Sequence, residues 1–539
     1  MKTRRDFLVS CIAGLAGSNL LAERLSNRAP ATDTMLSAGM KHVTSPPEGS
    51  AQGNPAGGTQ AGGRMYGFAL RFKSHPELIT HKNALTHQQA RELALYAQER
   101  SVDLIPEIES FGHTRFITGV PSHAHLGDRM PGGHGNFSAV SPVAPETLKL
   151  ISDLYREVAE IFPSPYLHGG CDEVNWGGSA LSRETLKTRS RDEIWAEYLN
   201  SLDRVAQGLG KEFIVWGDYV LHKRPGVLPR LNKDIIVMDW QYYVTNPKPL
   251  EQAARKVIDT GLRVIGAPAL ISCRWGPRAG VNALRNIDAY ADAYKSINSP
   301  KALGVIVTNW MPSRYIQRSL WDSHAYASIA LRQGSSTARS TAFRQFVEKF
   351  YQAEWNENWS DIFTTLYEIT PNKRSCSPPW MRPVLPVPWR NEAELKAAVQ
   401  SGMLNAPPFR RLLSQLVFSE AQVRDNFDDF LTFRLSIEYL EHIFWRNTVL
   451  VQEAAKSQRS PAATTALIRT IAERDQRLLE KVDASWDKGR ARDAAARTEQ
   501  VFDLRPGDQL LYTFHQAAAF SQQLARDPDR FSRLLSAAR

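Results

Sequence analysis

Apolar residues follow two different periods along this chain. From about Met65, short continuous apolar runs recur: "MYGFALRF", "VDLIPEIESFGH", "YLHGGCDEV", "EFIVWGDYV", "DIIVMDWQYY", "LRVIGAPAL" and "LGVIVTNWM". Such runs predict strands covered on both faces. Between them lie amphipathic stretches such as "LTHQQARELALYAQERS", "PETLKLISDLYREVAEIF", "RDEIWAEYLNSLDRVAQGLG" and "PLEQAARKVIDTG". Their apolar positions repeat with the helical period. Strands alternating with helices predict a parallel α/β sheet. Seven units fit a (β/α)8 TIM-type barrel with one unit unaccounted for. An open doubly wound sheet is the alternative. No glycine-rich phosphate loop follows any strand, which argues against a nucleotide-binding version.

Beyond residue 345 the strand pattern stops and the chain reads as helical. Phe433, Ile437, Leu440 and Phe444 are spaced as one buried helix face. Upstream, residues 31–64 contain "SPPEGSAQGNPAGGTQAGGR". A segment this poor in apolar residues cannot offset its ordering entropy, so it reads as a low-complexity linker. The first 30 residues carry Arg4 and Arg5 ahead of Phe7, Leu8 and a short apolar run, similar to a twin-arginine export signal. The expected order is a signal segment (1–30), a linker (31–64), a barrel (65–345) and a helical C-terminal region (346–539). Export implies a periplasmic or secreted protein. No stretch has the length of apolar residues needed to span a bilayer.

Composition narrows the partners. The 539 residues carry a net charge of +10, with 42% hydrophobic and 23% charged residues. The basic residues are scattered, with no Lys/Arg block interleaved with aromatics, so nucleic acid is not an expected partner. Cys11, Cys171, Cys273 and Cys376 are far apart, with neither metal-ligand spacing nor a disulfide framework. Cys171 reads as a small buried residue, acceptable where glycine would fit provided the backbone needs no positive φ.

In a barrel, chemistry collects where strands end. The third strand ends in Glu107, Glu109 and His113, and the fourth in Asp172 and Glu173. The fifth ends in Trp216 and Asp218, the sixth in Asp239, Trp240, Tyr242 and Tyr243, the eighth in Asn309 and Trp310. Aromatic faces suit the C–H faces of pyranose rings, and carboxylates and phenols suit sugar hydroxyls. The pattern points to a carbohydrate site. His113, His168, Asp172 and Glu173 could converge as metal ligands. Acid catalysis accounts for them without an ion, so no cofactor is expected.

"HGGCDEV" resembles the His-x-Gly-Gly-Asp-Glu signature of family 20 glycoside hydrolases, the β-N-acetylhexosaminidases. "LIPEIESFGH", "VWGDY", "VMDWQYY" and "VTNW" follow in the order of that family's strand ends, and the Gly-Cys-Asp-Glu form is similar to the hexosaminidase D-like branch. The resemblance covers roughly residues 65–335. It implies an exo-hydrolase of terminal N-acetylhexosamine on glycans. Glu173 would be the general acid, and Asp172 would hold the substrate's 2-acetamido group, whose carbonyl attacks the anomeric carbon. Tyr242 or Tyr243 would orient that carbonyl. Trp216, Trp240 and Trp310 would wall the pocket, with His113, His168, Asp218 and Asp239 around it.

The chain departs from this pattern at its start. The family's first strand, ending in a sugar-gripping arginine, has no counterpart; residues 31–64 stand in its place. Arg64 and Arg71 lie nearby, and neither aligns with it. Another segment plugging the gap, dimerisation across it and a deletion that impairs the enzyme are the competing explanations. Two rival functions follow. One is a non-catalytic sugar binder. The other is a two-carboxylate retaining glycosidase pairing Glu173 with Asp218 or Asp239.

Overall fold

A computed structural model describes residues 68–78, 80–130, 139–271, 278–310, 315–335, 339–369, 407–489 and 510–537. The signal segment, the linker, Arg64, Cys11, Cys273 and Cys376 lie outside the described residues.

The strands are β1 (Phe68–Leu70), β2 (Thr80–Leu85), β3 (Tyr166–His168), β4 (Glu212–Trp216), β5 (Ile236–Trp240), β6 (Arg263–Ala267), β7 (Ala269–Ile271), β8 (Ala302–Val305) and β9 (Thr308–Asn309). Five of them form one sheet in the order β3-β4-β5-β6-β8, parallel throughout. β7 and β9 continue the last two strands as a second parallel pair. Pro268 sits at the break between β6 and β7, where a residue without an N–H cannot extend the ladder.

The run 104–110 forms no strand of its own. Pro106 interrupts its donors, yet it lies parallel to β3. His168 N–H donates to Pro106 O at 2.9 Å, Ile108 N–H to His168 O at 2.9 Å and Ser110 N–H to Gly169 O at 3.1 Å. β2 has no apolar run and was not expected. It pairs in parallel with β1 and leads into the helix His87–Gln98, which Thr86 and Gln89 start with a capping box. Among the described residues no ladder joins the β1–β2 pair to the five-stranded sheet.

The two faces of the sheet follow the period of two. Ile214, Trp216, Ile236, Met238, Ile265 and Ala267 form one buried cluster, with Ile105 and Tyr166. The alternate residues Phe213, Val215, Val237 and Val264 pack in another, with residues of the helices Pro145–Ile161 and Arg191–Gly208. A parallel sheet filled on one face and helix-covered on the other is barrel architecture.

After residue 345 the described chain is helical, including Phe427–Ala455 and Pro461–Gly489. Phe433, Ile437, Leu440 and Phe444 are all buried on the first of these. They share one core with Tyr242, Leu270, Val307 and Tyr326 of the strand-bearing part. A buried ion pair sits at this junction. Arg278 Nη2 donates to Asp322 Oδ2 at 2.8 Å, and Nη1 to Ser436 Oγ at 3.0 Å. No helix among the described residues is long and apolar enough to cross a membrane.

Candidate active site

The site is built where the segment 107–113 meets the turn after β3. The two backbones touch. A Cβ on Gly112 would lie 2.1 Å from Asp172 O, and one on Gly170 (φ +66°) would lie 2.2 Å from Glu109 Oε2. Only glycine permits this approach. Three side-chain-bearing residues here also adopt left-handed backbone: His113 (φ 51°), Cys171 (φ 73°) and Glu173 (φ 47°). Cys171 is buried, as a small core residue is expected to be, but the condition for a thiol in place of glycine is not met: it sits on strained backbone. Such residues cost about 1–3 kcal/mol each and persist where surroundings over-determine them. Two carboxyls do so here. Cys171 N–H donates to Glu109 Oε2 at 3.3 Å, and Glu173 N–H to Asp218 Oδ2 at 3.1 Å.

His113 joins the adjacent acids. Its Nε2 lies 3.5 Å from Asp172 Oδ2 and 3.3 Å from Glu173 Oε2, with the imidazole a quarter exposed. Burial works against a charge on His113. The Asp172 carboxylate and the hydrogen bonds to Asp172 and Glu173 outweigh it and hold the imidazole well above its usual range. Burial, with the charge of Asp172 second, pushes the Glu109 carboxyl well up. The same two causes, partly offset by the Glu173 N–H, push Asp218 up to about 7. The cluster thus favours the protonated forms of His113 and Glu109 and sets Asp218 at about 7. His113 Nε2 and one oxygen each of Asp172 and Glu173 lie within 4.8 Å of one another.

The other expected residues fall into three groups. An aromatic run comes first. Trp216 and Trp310 have ring centroids 5.9 Å apart, Trp310 and Tyr242 6.2 Å, and Tyr242 and Trp240 stack at 5.0 Å. Tyr242 is 7% exposed and Tyr243 is 36% exposed, so Tyr242 is the buried one of the two. Beneath it, Trp216 Nε1 donates to Glu107 Oε1 at 2.8 Å and its ring lies 4.7 Å from that of His168. His168 is fully buried, and its Nδ1 accepts the Gly170 N–H at 3.0 Å. It braces the turn from below. Asp239, third, is buried and bonded to His222 Nε2 (3.0 Å) and Gln241 Nε2 (2.7 Å).

Sequence reasoning placed Glu107 and Glu109 at a strand end without a role. It missed His222, and His324, which meets Asn309 Nδ2 at 3.0 Å. Neither histidine lies at the end of an apolar run, so no pattern signalled it.

A parallel sheet filled by side chains, with a histidine-linked acid pair and tryptophans at its strand ends, defines a barrel-type catalytic domain. Residues 60–300 match the glycosyl hydrolase family 20 catalytic domain. Over this segment the chain is similar to the family 20 glycoside hydrolases. The chain is 26% identical over 278 residues to a lacto-N-biosidase of Bifidobacterium bifidum, covering 47% of this chain and 24% of that protein. It is 29% identical over 205 residues to a beta-hexosaminidase of Vibrio furnissii, covering 35% and 31%. Over 120 residues it is 28% identical to hexosaminidase D of Bos taurus, covering 22% and 33%. The chain thus spans a quarter to a third of the length of these relatives.

Proposed function

We propose that the chain is an exported exo-β-N-acetylhexosaminidase that removes terminal GlcNAc or GalNAc from glycans by substrate-assisted, retaining catalysis. One observation carries this reading: His113 links Asp172 and Glu173 at 3.5 and 3.3 Å inside the family 20 segment. The Asp172 side chain is buried and that of Glu173 is more than a third exposed, so the adjacent acids have separate environments and therefore separate tasks.

In this mechanism Glu173 protonates the leaving glycosidic oxygen. Asp172 accepts the acetamide N–H and stabilises the positive charge that grows there. The acetamide carbonyl oxygen forms a bond to the anomeric carbon as the glycosidic bond breaks, giving an oxazolinium ion. Water then attacks the anomeric carbon from the opposite face, giving its proton to Glu173, as the bond from the acetamide oxygen to that carbon breaks and the acetamide is regenerated; configuration is retained. Tyr242 is favoured over Tyr243 as the donor to the acetamide carbonyl, because it is fixed between Trp240 and Trp310. Trp216, Trp240 and Trp310 wall the N-acetyl group and ring. Asp218 holds the Glu173 backbone, Glu109 holds that of Cys171, and His168 sits under the turn. Asp239, tied to His222, belongs to the rim.

Residues 65–345 act in this reading as the catalytic barrel, with its first strand absent, and 346–539 as a helical buttress sharing its core. Residues 1–30 direct export and 31–64 are a linker. A second reading, a sugar binder without turnover, draws on the lack of a ladder between the β1–β2 pair and the five-stranded sheet among the described residues.

Hydrolysis of 4-nitrophenyl N-acetyl-β-D-glucosaminide and its galactosaminide analogue by purified protein and by Glu173→Gln decides between them. The proposed enzyme turns these over, and the variant loses about 10²–10⁴-fold, less with so good a leaving group. A folded parent that binds N-acetylglucosamine without turnover establishes the binder instead.

A further inference from the structure

Away from the acid cluster, three residues from two separate segments bring donor atoms within 4.8 Å of one another: His75, Glu77 and His123. His75 and Glu77 lie in the connection between β1 and β2, and His123 in the short helix Pro121–Leu126. Glu77 Oε1 is 2.6 Å from His123 Nε2 and 3.0 Å from His75 Nδ1.

The far side of His75 is anchored as well. Its Nε2 faces Asp153 Oδ2 at 3.4 Å, and Asp153 is itself held by Arg156 at 2.9 Å and Lys149 at 3.4 Å. Metal-binding histidines have this arrangement: one nitrogen toward the ion, the other N–H donating to a carboxylate that fixes ring and tautomer. With the proton on Nε2 for Asp153, the Nδ1 lone pair faces the Glu77 carboxylate. Two electron-rich atoms at 3.0 Å need a second proton or a cation between them. The carrying loop is also fixed in advance, because Glu157 accepts the N–H groups of Lys73 (2.9 Å) and Ser74 (2.6 Å).

We propose that His75, Glu77 and His123 form a binding site for a divalent transition metal, Zn²⁺ foremost, with Asp153 orienting His75. Two imidazoles and one carboxylate favour Zn²⁺, Co²⁺, Ni²⁺ or Cu²⁺ over Ca²⁺ or Mg²⁺. Three protein ligands leave a coordination position open to water. The ion ties the β1–β2 connection to the short helix Pro121–Leu126. Among the described residues no ladder joins the strands of this part to the main sheet, so the metal acts as a staple.

The untagged full-length chain, dialysed against EDTA, is titrated with Co²⁺ and followed by its visible d–d absorption. The proposal expects saturation at about one equivalent, displacement by Zn²⁺ and a rise in melting temperature with either ion. His75→Ala and His123→Ala should each weaken binding at least about 100-fold, and Asp153→Asn about 10–100-fold. His113→Gln, which removes a donor from the other cluster, should leave the band unchanged. Absence of a saturable band in the folded parent overturns the proposal without any variant. So does a band that survives both histidine substitutions, or one lost with His113→Gln, which places the ion at the acid cluster. Should either alanine variant fail to fold, Glu77→Gln with the same readout replaces it.

Discussion

The Glu173 backbone N–H donates to Asp218 Oδ2 at 3.1 Å, so the residue proposed as general acid is held in left-handed backbone by the carboxyl at the end of the next strand. Asp218 titrates at about 7, raised by burial and by Asp172. Its ionisation adds negative charge beside the acid pair within the working pH range. The parent profile of kcat/KM should break near pH 7, and Asp218→Asn should remove that break. Stability has the same origin. Between about pH 4, where an ordinary Asp releases its proton, and about 7, the folded protein retains a proton that the unfolded chain has lost. Stability conferred by this group is therefore greatest at low pH and falls as pH rises to 7. Melting curves from pH 4 to 8 should show a shallower fall for Asp218→Asn.

Asp172 is assigned to the acetamide rather than to proton transfer. Asp172→Asn should lower kcat on N-acetylglucosaminides by about 10²–10³-fold, the loss typical of one stabilising group. Neither parent nor variant should hydrolyse 4-nitrophenyl β-D-glucoside, which lacks the internal nucleophile. Turnover of the plain glucoside by the parent would point to a two-carboxylate mechanism.

Cys171 carries a side chain at φ 73°. Cys171→Gly relieves the steric cost and Cys171→Ala retains it. Both lose the contact of Sγ with Gly169 O at 3.2 Å. The glycine variant should be more stable than the alanine variant by about 1 kcal/mol in urea denaturation.

Trp216 places its indole N–H on the buried Glu107. Trp216→Phe keeps much of the aromatic volume and removes that donor. It should destabilise the protein by about 1–3 kcal/mol in urea denaturation and raise KM more than it lowers kcat, because the group shapes the pocket wall rather than reacting.

Much of the site was legible because strand chemistry is local. The apolar runs ending at His168, Trp216 and Trp240 marked three strands, and the period of two put Trp216 on the filled face. Positions of the acids, tryptophans and Tyr242 could therefore be read as strand ends. β2 was not legible, since "THKNAL" lacks a continuous apolar run and its pairing with β1 is a tertiary matter. The backbone angle of Cys171 was not legible either. Sequence offers no sign that an L-residue must adopt left-handed geometry when carboxyls from other segments, Glu109 and Asp218, hold that turn.

The sequence by itself determined the alternation of strands and helices, the adjacency of Asp172 and Glu173, and the order of the aromatic residues. These depend on periodicity and on neighbours along the chain. Tertiary structure decided which groups share a field. It set His113 between the two acids, Asp218 beneath Glu173, Tyr242 in the aromatic run, and His123 beside Glu77. Those relationships arise from loops tens of residues apart meeting in space. Proton affinities and metal affinities depend on distance, burial and charge at that meeting, none of which is written in the spacing of a single segment.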